Sequence, residues 1–185
     1  MKATRISLSL TPVMLMGALA ATTIVPARAD DTITMVTITG TGTWSDVRVV
    51  SRVETVLPPG CVSSVERESE STFEGAMQGG GTRQSLGVIN RCTVPAETNA
   101  RARFKLDDVT IGDKVGGLEL EGWVVAHGDI RPPPVGEGEV ISQYRLEIVD
   151  GSGDFRKCSG FMVAAGTSTL TGSSNTYYAQ VVFPK

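Results

Sequence analysis

Histidine is almost missing from this chain: His127 stands alone among 185 residues. Triad catalysis needs an imidazole that is held and oriented, and His127 runs into Gly128 and Asp129, a turn-like context. Three widely spaced cysteines and one histidine do not make a zinc site either, so no metal is expected. Positive charge is not in excess, with 17 basic residues against 20 acidic ones. That balance argues against nucleic acid and against anionic membrane surfaces as partners. Helical periodicity is absent from every window of useful length. Long apolar runs are absent beyond residue 21, which leaves no later segment able to span a bilayer as a helix.

The N-terminus has the three parts of a secretory leader. Lys2 and Arg5 supply its positive end, and Leu8 to Ala21 its short apolar stretch. Ala27 and Ala29 form an A-x-A site before Asp30. Residues 1–29 therefore read as a signal peptide, and 30–185 as one exported domain, secreted or periplasmic. Removing the leader leaves 14 basic residues against 20 acidic ones, a net charge of −6. The 156 residues that remain suffice for one sizeable core and are short for two. Export permits disulfides. Of the three possible single bridges, Cys61 with Cys92 is preferred, because their segments are placed to pair as neighbours in a meander. Three buried, inert thiols is the other reading.

Period-two alternation dominates the exported part of the chain. Strand-like runs include 32–39, 46–57, the segment from Cys61, 71–78, 83–92 and 100–106. Further runs cover 117–126, 140–149, 160–166 and 177–183, nine or ten short strands in all, separated by Gly, Pro, Asn and Asp clusters. In 99–108, Ala102, Phe104 and Leu106 alternate with Arg101, Arg103 and Lys105, which favours a strand. The triple glycine at 79–81 lacks the Lys and Ser/Thr of a phosphate-binding loop and reads as a hairpin turn. Many short strands mean an all-β domain, either a closed antiparallel barrel of about eight strands or a sandwich. Glycines inside the strand-like runs favour the barrel, since small barrels bend at their corners.

Residues 150–163, D-G-S-G-D-F-R-K-C-S-G-F-M-V, resemble a segment shared by dirigent proteins and allene oxide cyclases. The resemblance implies an eight-stranded antiparallel barrel, with this segment joining two strands through a glycine turn and a short helical turn. Gly151 and Gly153 would supply positive φ. Phe155 would plug the barrel end, and Gly160 would let the next strand approach its neighbour. It further implies a protein that binds a small, mostly apolar molecule and steers its cyclisation or coupling without a cofactor. A second copy of the chain, in a homo-oligomer, is a candidate partner. No catalytic residue of those families maps onto this sequence. A non-enzymatic exported domain that contacts another protein is the competing reading.

A barrel's mouth and interior are the natural place for a site. In 117–126 one face holds Glu119, Glu121 and Trp123, with His127 just beyond. That face reads either as the lining of a polar cavity or as an outer surface. In 140–149 Tyr144 is a candidate hydrogen-bond donor to a ligand, or a core tyrosine with its hydroxyl at an edge. Arg101 and Arg103 are placed to pair with acids of a neighbouring strand.

Overall fold

The computed structural model describes residues 33–54, 61–93, 95–128, 140–169 and 172–184. The leader and its cleavage site at Asp30 lie outside the described residues, as do the proline clusters at 58–60 and 132–134. Among the described residues eight strands form the fold: β1 (Thr34–Glu54), β2 (Val62–Gly75), β3 (Met77–Asn90), β4 (Ala96–Ile111), β5 (Lys114–Gly128), β6 (Val140–Gly151), β7 (Ser159–Ser168) and β8 (Ser173–Phe183). Each pairs antiparallel with the next, and β8 closes on β1, giving a single barrel. Closure leaves none of these strands at a sheet edge, which removes the template for edge-to-edge aggregation.

The strands are fewer and longer than the alternation suggests. Within the described residues, the runs 32–39 and 46–57 fall in one strand, β1 (Thr34–Glu54). Its pairing with β2 shifts register between Ser45 and Arg48 and again between Val49 and Ser51. Asp46 takes a φ of 51° at the first shift, so a bulge, not a turn, interrupts the alternation. The triple glycine at 79–81 is not a hairpin turn. It lies within β3, and the chain reverses at Gly75, whose φ is 107°.

Alternation sorts the side chains. On β4, Ala100, Ala102, Phe104 and Leu106 point inward, and Arg101, Arg103 and Lys105 are exposed. On β6, Val140, Ser142, Tyr144 and Leu146 point inward. The barrel has two different ends. The N-terminus of β1 meets the C-terminus of β8, with Thr34 opposite Phe183. At this end Phe155, on a single 3₁₀ turn (Gly153–Phe155), is fully buried, with its ring 5.7 Å from that of Phe183. Met77, Val109 and Ile111 complete a solid plug. The other end is where β1 leads to β2, β3 to β4, β5 to β6 and β7 to β8. A disulfide between Cys61 and Cys92 ties the first two of these connections, with 5.2 Å between the Cα atoms.

The 150–163 segment is built as its resemblance implies. β6 ends at Gly151, Gly153 has φ 62°, and β7 pairs antiparallel with β6 from Phe161 opposite Glu147 onward. Gly160 has φ 146°, and a Cβ there would drive into the Gln180 carbonyl oxygen of β8. Gly151 differs in detail: it does not adopt positive φ, and its missing side chain instead makes room for the Phe155 backbone.

Candidate functional site

Midway along the barrel, aromatic rings fill the interior. Trp44 of β1 packs edge-on against Tyr144 at 5.0 Å between centroids and lies 5.4 Å from Phe104. Phe73 stands edge-on to Phe104 and to Tyr177. Offset and edge-to-face packing of this kind suits the ring quadrupoles. The buried Trp44 indole N–H donates to the Tyr144 hydroxyl at 3.0 Å. Below this layer, leucines and Met162 continue the core to the plugged end.

Above it the barrel is hollow. A cavity of about 70 Å³ opens toward the end that carries the disulfide. Trp44, Tyr144 and Arg83 form its floor. Its wall mixes apolar side chains (Val65, Ile89, Val124 and Val140) with the hydroxyls of Ser85, Thr98 and Ser142. Ser142 donates to the Asn175 Oδ1 at 3.0 Å, and the Asn175 amide donates to Ser173. This polar belt fixes β6 against β8 at the mouth.

Arg83 is the unusual member. It is only 8% exposed, and its guanidinium carbon lies 5.7 Å from the Trp44 ring centroid, 5.8 Å from that of Tyr144 and 5.9 Å from that of Phe104. Its Nε has no hydrogen-bond partner. Burial pulls its pKa below the ordinary arginine range; the nearby Tyr144 opposes that shift, and Arg67 adds to it. Arg67 of β2 lines the same cavity, and no carboxylate among the described residues does.

No family model matches the chain, and no curated protein matches it by sequence. Among solved structures, a protein of unknown function from the DUF3224 family of Shewanella oneidensis MR-1 superposes with a TM-score of 0.53 at 17% identity, over 82% of this chain and 99% of its own. A pterocarpan synthase dirigent protein superposes with a TM-score of 0.45 at 14% identity, over 88% of this chain and 97% of its own. The first of these likenesses establishes a shared barrel fold.

Of the side chains the sequence singles out, Tyr144 lies at the cavity floor. Glu119, Glu121 and Trp123 do not line the interior. Their face of β5 points outward, because its alternate residues Leu118, Leu120 and Val124 fill the core. Glu119 pairs with Arg103 and Glu121 with Arg101, both on β4, and Trp123 is 64% exposed. The hydrogen bond from Arg103 to Glu119, with their charge attraction, raises the Arg103 pKa. His127 is also exposed, with its Nδ1 4.0 Å from Glu97.

Arg83 and Trp44 are the residues that sequence reasoning misses. In R-Q-S-L-G-V-I, alternation suggests Leu86 and Val88 inside and Arg83 and Ser85 outside. The barrel does the opposite: Leu86 and Val88 are exposed, and Arg83 and Ser85 are buried. The available signal was pairwise, since Arg83 sits opposite Phe104 in the β3–β4 register, and Phe104 must face inward.

Proposed function

We propose that this is an exported barrel protein that takes a small, mostly apolar molecule into the mouth of its barrel. The observation that carries the reading is the mixed lining of the cavity above the aromatic floor, where solid packing stops. Ligand pockets combine apolar walls with a few convergent polar groups in this way. The Cys61–Cys92 disulfide supports secretion or a periplasmic location, because such bonds persist in oxidising compartments. The resemblance of residues 150–163 to dirigent proteins and allene oxide cyclases supports a further step, in which confinement holds a bound molecule in a reactive conformer.

Trp44 reports on the site directly. In a Trp123→Phe background it is the only tryptophan left. Saturable change in its fluorescence on titration with small alcohols, amides and acids is the expected result. A flat response across such a panel would remove the binding reading. Exposed Trp123, Ile141, Phe161 and Val163 on the outer wall favour a second reading, a contact surface for another barrel or protein. Light scattering of the purified protein tests self-association.

A further inference from the structure

A guanidinium needs acceptors for its N–H groups as well as rings against its faces. Arg83 has the rings, three of them within 6 Å, but its Nε is left without a partner. Desolvating a charge without pairing it is strongly unfavourable. Buried charges in proteins are as a rule paired. Here the chain has acids to spare, 20 in all, yet among the described residues none lines the cavity. On β2, Glu66, Glu68 and Glu70 alternate with Arg67 and Ser69 and face the outer side of the strand. There Glu68 meets Arg48 and Gln84. Arg67 lines the same cavity wall. Arg83 thus buries a positive charge inside a protein of net negative charge.

The hydroxyl of Tyr144 adds to this. It accepts the Trp44 N–H, so its own proton remains to be donated at the cavity floor. Above the floor the wall carries the apolar side chains of Val65, Ile89, Val124 and Val140 among the hydroxyls of Ser85, Thr98 and Ser142. We infer that the cavity is a site for a monocarboxylate with an apolar tail, its carboxylate seated on the Arg83 guanidinium and its tail lying against these side chains. Arginine's planar fork matches a carboxylate in two parallel hydrogen bonds. A polyanion such as phosphate would set some of its remaining oxygens against the valine and isoleucine side chains, which offer them no donor. The volume, about 70 Å³, equals roughly five water-sized spaces at about 15 Å³ each. That accommodates the head and first carbons of the acid, and a longer tail leaves through the mouth.

The carboxylate site rests on the pocket proposed above and adds the charge of the ligand. Calorimetric titration of the purified protein with butyrate, hexanoate and benzoate tests it, with butyramide, hexanamide and benzamide as neutral matches and inorganic phosphate as the other anion. Carboxylates should bind saturably and at least tenfold more tightly than their amides. Arg83→Met should abolish that preference, so that each acid binds no more tightly than its amide, and Arg83→Lys should keep part of it. Circular dichroism checks that each variant is folded, and if Arg83→Met is not, the lysine variant carries the comparison. Amides that bind as tightly as acids would overturn the carboxylate site and leave the pocket standing. Absence of binding by either class would remove both. Phosphate binding more tightly than any of the acids would overturn the ligand class, and an undiminished preference in Arg83→Met would overturn the role of Arg83.

Discussion

Tyr177 joins three strands with one hydroxyl. It accepts the Met77 N–H at 3.1 Å and lies 3.2 Å from the carbonyl oxygens of Glu74 and Met77, to one of which it donates. Opposite it on β1 is Gly40, where a Cβ would collide with that hydroxyl. The β2–β3 hairpin is thereby pinned to β8. Tyr177→Phe removes the hydroxyl and leaves buried backbone groups unpaired, which should destabilise the fold by about 1–3 kcal/mol in denaturant unfolding. The same residue sets a pH response. Burial raises its folded pKa, partly offset by the Met77 backbone bond. The unfolded chain releases this proton first, near pH ~10. The contribution is therefore complete below about pH 10 and is lost as the pH rises beyond it. Thermal unfolding on either side of that value, at about pH 9 and 11, should show a smaller alkaline loss in Tyr177→Phe than in the parent. Equal losses would place the alkaline sensitivity elsewhere.

At the scale of the element, the 150–163 connection closes one end of the barrel, and each of its special residues meets a different demand. Gly153 sits at φ 62°, and a side chain there would lie 2.7 Å from the Val115 carbonyl oxygen. Asp154 accepts the Val115 N–H, and Ser152 accepts that of Gly117, so the turn is stitched to β5. Gly153→Val should cost about 1–3 kcal/mol and Phe155→Ala about 3–5 kcal/mol. Unfolding curves matching the parent for both would make this segment an ordinary exposed loop. The disulfide acts at the opposite end. It spans 31 residues of sequence, and replacing both cysteines by serine should cost about 3–4 kcal/mol through the unfolded chain. Much of this was legible in the sequence, because β4, β5 and β6 alternate cleanly and the glycine turn has a distinctive pattern. β3 was not legible near the mouth, where the interior turns polar: Arg83 and Ser85 point in while Leu86 and Val88 point out. Alternation gives the period of a strand but not which face is inside. Where a barrel hollows out for a site, the usual equation of apolar with inside fails. The acids of β5 left two readings open for the same reason, since a carboxylate on a strand reads alike on an outer wall and in a polar lumen.

The whole molecule divides into a solid half and a hollow half. From the aromatic layer to the Phe155 plug the interior is close-packed and apolar, and most of the hydrophobic stabilisation must come from there. The second, smaller cluster at the mouth, built on Val65, Ile89, Ala96, Ala126 and Val140, surrounds the cavity and adds little to that half. Arg83 lies where the two halves meet, a buried charge whose faces lie against aromatic rings. Cation–π attraction offsets part of its desolvation, but the orphan Nε remains. A residue selected for stability alone would be apolar at this position, and proteins commonly give up stability where a site needs a strained or unpaired group. Arg83→Met keeps much of the volume and removes the charge. In the absence of ligand it should leave the barrel as stable as the parent or more stable, by up to about 1–4 kcal/mol. Denaturant unfolding at equal m-value measures this. The two halves give the result its meaning, because the solid half is untouched and only the balance at the floor of the cavity changes. A loss of several kcal/mol on replacing Arg83 would mean that the guanidinium is already satisfied within the fold, and Arg83 would then be a structural residue and not the ligand's counter-charge.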